Sequence, residues 1–205
     1  SFTQAGAGTT TLTANNTYTG TTLVSGGSLI INGSTSSTSL VTVNNGATLG
    51  GIGTIGDNTT IADNGKIEFD ISTAPGSHDK LELAAAKTLT FSGASTLTIT
   101  SLSGATTGDY VMATAPGGII GAVPATLVLP VGWVATLGKA NSDTDLVLTV
   151  TSTGSGDVTP PLLTSIVDNV SGGPINIGAT VTYTVTFNED IDAASVTAAD
   201  FDNEG

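Results

Sequence analysis

Cysteine is absent from this 205-residue chain, so it has neither a disulfide framework nor thiolate chemistry. Arginine is absent as well. Besides the single His78, the basic side chains are Lys66, Lys80, Lys87 and Lys139, set against 17 acidic residues for a net charge of −13. That balance excludes nucleic acid, which needs cations on its phosphates, and an anionic membrane surface. Aromatic residues are 4% of the chain, so no core built on large rings is expected, nor an aromatic platform for sugars. No apolar run reaches the roughly 18 residues of a spanning helix, and no membrane insertion is expected. No signal segment is visible and the chain opens Ser1-Phe2 without methionine, which reads as a processed or trimmed start.

What is abundant is threonine, followed by Gly, Ser, Ala, Val and Leu, the small and β-branched side chains that suit a pleated sheet. They recur with a period. Gly27, Gly46 and Gly65 stand 19 residues apart, and around them the segments 21–32, 40–51 and 59–70 align. Each holds two short β-rich runs about a turn: Leu23-Val24 then Leu29-Ile30-Ile31, Val41-Thr42-Val43 then Thr48-Leu49, and Thr60-Ile61-Ala62 then Ile67-Glu68-Phe69. The turns are Gly26-Gly27, Asn45-Gly46 and Asn64-Gly65, residues that tolerate positive φ. A unit this small cannot bury its apolar face alone, whereas units stacked in parallel give every strand a neighbour. The spacing predicts a parallel β-helix with Val24, Val43 and Ala62 in one inward column.

Past Ile71 the period loosens. Strands are expected at 81–83, 88–91, 96–99, 110–114, 127–130, 132–137 and 146–150. Gly117-Gly118-Ile119-Ile120-Gly121 reads as a turn carrying an apolar plug. Tyr110 and Trp133 mark the stretch 104–151 as a cap closing the stack.

The runs Gly6-Ala7-Gly8-Thr9-Thr10-Thr11-Leu12-Thr13, Asn16-Thr17-Tyr18-Thr19-Gly20, Gly26-Gly27-Ser28-Leu29, Asn45-Gly46-Ala47-Thr48-Leu49-Gly50-Gly51 and the closing Leu146-Val147-Leu148 carry a resemblance. Over residues 1–151 the chain resembles the autotransporter-associated β-strand repeat proteins of bacteria. It departs from their usual pattern at Thr10, where a leucine is usual, and at Ala14, where a glycine is usual. The resemblance implies a right-handed parallel β-helix on a large secreted or surface-displayed protein, without enzymatic activity.

The composition changes at Thr153-Gly154-Ser155-Gly156-Asp157, a flexible linker stiffened by Thr159-Pro160-Pro161. Leu163 to Val167 and Val181 to Phe187 then read as strands, the second with Val181, Tyr183, Val185 and Phe187 on one face. Residues 157–205 resemble bacterial Ig-like domains, through Val185-Thr186-Phe187-Asn188-Glu189-Asp190-Ile191 and Asp200-Phe201. Such a sandwich takes roughly 100 residues and seven strands, about twice what is present. Either the chain is a fragment or strands of another chain complete the sandwich.

Three kinds of site were weighed. His78 precedes Asp79 and Lys80 but lacks a nucleophile in its surroundings, and reads as part of a turn. Glu68 and Asp70 alternate onto one face, as a glycosidase pair must, yet this is also ordinary surface decoration. Asp157, Glu189, Asp190 and Asp192 supply hard oxygen donors for a calcium ion between domains, although their spacing matches no EF-hand. No glycine-rich stretch fits a phosphate loop.

The expectation is therefore an all-β protein: a right-handed parallel β-helix over 1–151 with a C-terminal cap, a linker over 152–161, and an incomplete Ig-like β-sandwich over 162–205. It is expected to be a structural or adhesive protein, outside the cell or on a bacterial surface, and not an enzyme. It needs no cofactor unless calcium binds. Its expected partners are copies of itself, through strand exchange or solenoid ends, or surface glycans. The alternative is a carbohydrate-binding or carbohydrate-degrading β-helix.

Overall fold

The computed structural model describes residues 1–71, 78–101, 104–154, 162–170 and 176–188. The chain divides into two compact units, Ser1–Ser155 and Gly156–Gly205. In the first, the backbone winds through successive coils. Strands β1 (Phe2–Gln4) and β2 (Thr9–Leu12) belong to the first coil, and β3 (Thr22–Val24) and β4 (Ser28–Ile31) to the second. The third contains β5 (Val41–Val43), β6 (Thr48–Gly50) and β7 (Thr54–Ile55), and the fourth β8 (Thr59–Ile61), β9 (Lys66–Ile71) and β10 (Leu81–Leu83). The fifth contains β11 (Thr88–Phe91), β12 (Thr96–Ser101) and β13 (Gly108–Thr114), and the last β14 (Gly118–Ile120) and β15 (Thr126–Val128). A hairpin of β16 (Trp133–Ala140) and β17 (Asp145–Thr153) follows.

Coils stack by parallel pairing. One sheet runs β1-β3-β5-β8-β11-β14 and a second β15-β12-β9-β6-β4-β2, parallel throughout. A third face begins as single parallel bridges, Asn15 to Ser34 and Ser34 to Thr54, and widens into β7, β10 and β13. This is the parallel β-helix that the repeat predicts.

Each strand sends alternate side chains inward, so matching positions of successive coils touch. On the first sheet one such column is Gln4, Val24, Val43, Ile61 and Phe91; the next is Thr22, Val41, Thr59, Leu89 and Ile119. On the second sheet Leu29, Leu49, Ile67, Leu97 and Leu127 align. Most of these side chains are fully buried. Burying each large aliphatic one contributes about 1.5–3 kcal/mol.

Three expectations need correction. Ala62 is not in the column; Val43 pairs with Ile61, and Ala62 lies half-buried one position later. The reason is in the turn. Gly27 and Gly46 take φ of 59° and 75°, but in the fourth coil the left-handed residue is Asn64, at 56°, not Gly65. Asn tolerates that conformation, and the step shortens by one residue. Secondly, the period does not merely loosen. Phe2 pairs with Thr22, Thr22 with Val41 and Val41 with Thr59, steps of 20, 19 and 18 residues. Thr59 then pairs with Leu89 and Leu89 with Ile119, steps of 30. Wider coils follow narrow ones. Thirdly, Gly118–Ile120 is a strand of the first sheet with Ile119 buried, not a turn.

The end of the stack is closed by antiparallel pairing, β13 with β17 and β17 with β16. Strand β17 reaches Thr153, into the expected linker. Tyr110 lies not at the end but fully buried in β13. The second unit holds β18 (Leu163–Asp168) paired antiparallel with β19 (Tyr183–Phe187). This hairpin accounts for both expected strands; a sandwich is not seen among the described residues.

Where the coil widens, a dry cavity of about 10 Å³ lies among Leu49, Ile55, Thr59, Ile67, Phe69, Leu81, Leu83, Leu89 and Ala113. The Thr59 hydroxyl is buried there without a hydrogen-bond partner. Thr59→Val is expected to stabilise the first unit by about 1 kcal/mol, because it removes an unsatisfied polar group. Ile61→Ala is expected to cost about 2–5 kcal/mol, whereas Ala62→Lys is expected to stay within about 0.5 kcal/mol of the parent, as surface changes do. Urea unfolding of the three variants checks the one-residue slip directly.

Candidate functional site: the groove at the coil step

Up to residue 56 the chain has no charged side chain. Acidic residues then crowd into the fourth coil: Asp57, Asp63, Glu68, Asp70, Asp79 and Glu82. This belt sits where narrow coils meet wide ones. Strand β9 runs six residues against the three of β6 below it, so its far end overhangs. The overhang makes an open groove of about 240 Å³, lined by Ile30, Asn32, Gly51 and Ile52 from the narrow coils and by Glu68, Phe69, Asp70 and Asp79 from the wide one. Gly51 is needed here: its φ is 114°, and a Cβ would collide with the Ile31 carbonyl.

The alternation that puts Glu68 and Asp70 on the outer face is the one read from sequence. Asp79 joins them by a route that the sequence conceals. Residue 78 returns to pair with Ile71 in an antiparallel bridge. The Asp79 amide donates to the Asp70 carbonyl at 2.9 Å, and the Asp70 amide donates to Asp79 Oδ2 at 3.2 Å. His78 packs edge-on against Tyr110, with ring centroids 5.2 Å apart, and its Nε2 donates to the Val111 carbonyl at 2.9 Å. That is a tie between coils, and it supports the structural reading of His78.

Electrostatically the groove is strained. Burial raises the Glu68 carboxyl above its ordinary pKa, and the charges of Asp70 and Asp79 add to the rise. Burial also raises Asp79, reinforced by the Asp70 charge and opposed by the Asp70 amide and by His78. Elsewhere in the belt the balance reverses. Lys87 donates to Asp57 at 2.6 Å across one coil step and, with the Asn58 amide, lowers the Asp57 pKa. Asn58 Oδ1 accepts from the Thr88 amide and Asp63 Oδ1 from the Ala94 amide, each at 2.9 Å. Belt side chains thus tie the fourth coil to the fifth.

Chemically the groove offers two carboxyls poised to hold protons and one apolar wall. Among the described residues, no three His, Asp or Glu side chains converge closely enough to hold a metal ion. Phe69 is 1% exposed, so it offers no ring to a sugar. The calcium set read from sequence, Asp157, Glu189, Asp190 and Asp192, lies outside the described residues.

With the coils in place, comparison with known proteins gives one result. Residues 2–31 match the passenger-associated transport repeat. No curated protein matches the chain. The matched span begins with β1 and ends with β4, so the repeat is two complete narrow coils. It supports the autotransporter-type repeat expected over the start of the chain, and repeats of this kind go with secreted or cell-surface proteins. The Ig-like resemblance finds no match.

The raised carboxyls fix the sign of a pH effect. A group whose folded pKa lies above its unfolded value of about 4.3 destabilises the fold when ionised, and stability recovers as pH falls through the folded value. Glu68→Gln is therefore expected to raise the Tm at pH 7 by about 1–3 °C, a small shift because the groove is partly solvated. The gain should vanish near pH 4. Thermal melts across that range check it, and a Glu68→Gln variant less stable than the parent at pH 7 would contradict the repulsion.

Proposed function

We propose that this chain is the structural and adhesive portion of an exported bacterial surface protein, with no enzymatic activity, working through association with copies of itself. The observation that carries the reading is the coincidence of a passenger-type repeat with two complete coils of a stacked solenoid. A stack in which each coil hydrogen-bonds the next is a mechanical element, and its length scales with the number of coils. The acidic excess and the near absence of basic side chains favour solubility outside the cell and disfavour nucleic acid.

The carbohydrate-acting alternative draws no support from the groove. Its carboxyls cluster on one wall and repel one another, where a glycosidase needs two carboxylates flanking a sugar.

In the source organism, brief protease treatment of intact cells is expected to remove the epitope recognised by antibodies against the chain, while a cytoplasmic marker survives. An epitope that persists until the cells are broken would overturn the surface assignment. A calcium-dependent adhesive differs in one respect, the melting of the purified chain in calcium and in a chelator. The transition of the solenoid is expected to be the same in both.

A further inference from the structure

The edges at the two ends of the solenoid differ chemically. At the first coil the free strands are short, three residues in β1 and four in β2. There the apolar column stops at Gln4. Its Nε2 donates to the carbonyls of Gly6 and Gly8 at 2.9 Å, and its Oε1 accepts from Thr10 at 2.6 Å. That end is sealed by a polar side chain, and no large hydrophobic before Leu40 is exposed.

The far end is divided. The edge of β14 is blocked. The Ile119 amide donates to the Asp143 carbonyl at 2.7 Å, and the Ile119 carbonyl accepts from Lys139 Nζ at 2.7 Å. The blocking turn is held by three consecutive left-handed residues, Asn141, Ser142 and Asp143, and by Asp145, which accepts from Asn141 and Thr114. Strand β16 is different. It is eight residues long, the longest outermost strand of the unit, with β17 on one side and no strand on the other among the described residues. Its inward residues Trp133, Ala135 and Leu137 pack on the core. Beside its open edge Val128, Val131 and Val134 are 48%, 87% and 57% exposed. From Tyr110 through Ser142 there is no Asp or Glu, and the one cation, Lys139, is engaged with Ile119.

We propose that the open edge of β16 and its exposed valines form a docking surface for a second copy of this chain, β16 pairing antiparallel with β16 about a two-fold axis. The proposal deepens the self-association in the function proposed above and rests on it. A strand edge paired about a two-fold axis is self-complementary, since each copy presents the same donors and acceptors. A long open edge flanked by apolar side chains is the kind that recruits another strand. Charge selects the copy. In a chain of net charge −13, the arrangement brings acid-free surfaces together while the belt of the fourth coil stays outside the contact. An acidic partner would gain nothing from this surface.

The test uses the full chain, whose lack of cysteine makes single-cysteine crosslinking unambiguous. Thr136→Cys, at the middle of β16, is expected to form a disulfide-linked dimer under mild oxidation, whereas Thr11→Cys in the first coil is not. Sedimentation is expected to show a concentration-dependent dimer whose affinity falls at least tenfold in Val134→Glu, with an unchanged circular dichroism spectrum. If Val134→Glu disturbs folding, Val131→Lys in the exposed loop replaces it. A chain monomeric at all concentrations would overturn the proposal but leave the surface assignment standing. A dimer that both charge variants leave intact, or disulfide linkage of the Thr11→Cys variant, would place the contact elsewhere and equally overturn it.

Discussion

Everything in the first unit depends on one constraint: a parallel strand pair must keep register, because a slip of one residue turns every inward side chain outward. Where register holds, Val24 sits over Val43 and Leu29 over Leu49, and the columns stay dry. Where the spacing changes, the turn rather than the column absorbs it. The left-handed residue passes from glycine to Asn64, and the inward position passes from the expected Ala62 to Ile61. A larger side chain thus fills the column just where the solenoid begins to broaden.

That broadening links fold to charge. Coils before residue 57 carry hydroxyls and amides but no charged side chains; the first broad coil carries six carboxylates. Some work as ties, with Asp57 held by Lys87 and Asp63 bonding the next coil. Others are gathered against their own repulsion, as Glu68, Asp70 and Asp79 are in the groove. The step in coil size produces both the ledge and the crowding.

Much of this was legible in the sequence, where the information is local and periodic. Alternation placed Leu29, Leu49 and Ile67 inward and Glu68 with Asp70 outward. The constant glycine spacing revealed the stack itself. The longer coils were not legible, because a change of period from about 19 to 30 residues leaves too few copies to align. Asp79 was missed as a groove residue because the bridge from His78 to Ile71 brings it there, and no local pattern encodes that bridge. The Lys139 bond to Ile119 was likewise invisible, since it spans 20 residues and depends on a strained turn. The charge boundary at Asp57, by contrast, is plain in the sequence once the coils are numbered, and it is the signal that would have located the groove.

The turn at Asn141–Asp143 has an evolutionary consequence. Coils in parallel register are interchangeable rungs, so tandem duplication can lengthen such a ladder without redesigning any contact. The left-handed terminus has no such freedom, for it fits only the last rung and occupies the backbone groups a further one would need. Descendants of this gene are free to vary in how many turns precede residue 118, while the hairpin is inherited as a single unrepeated piece.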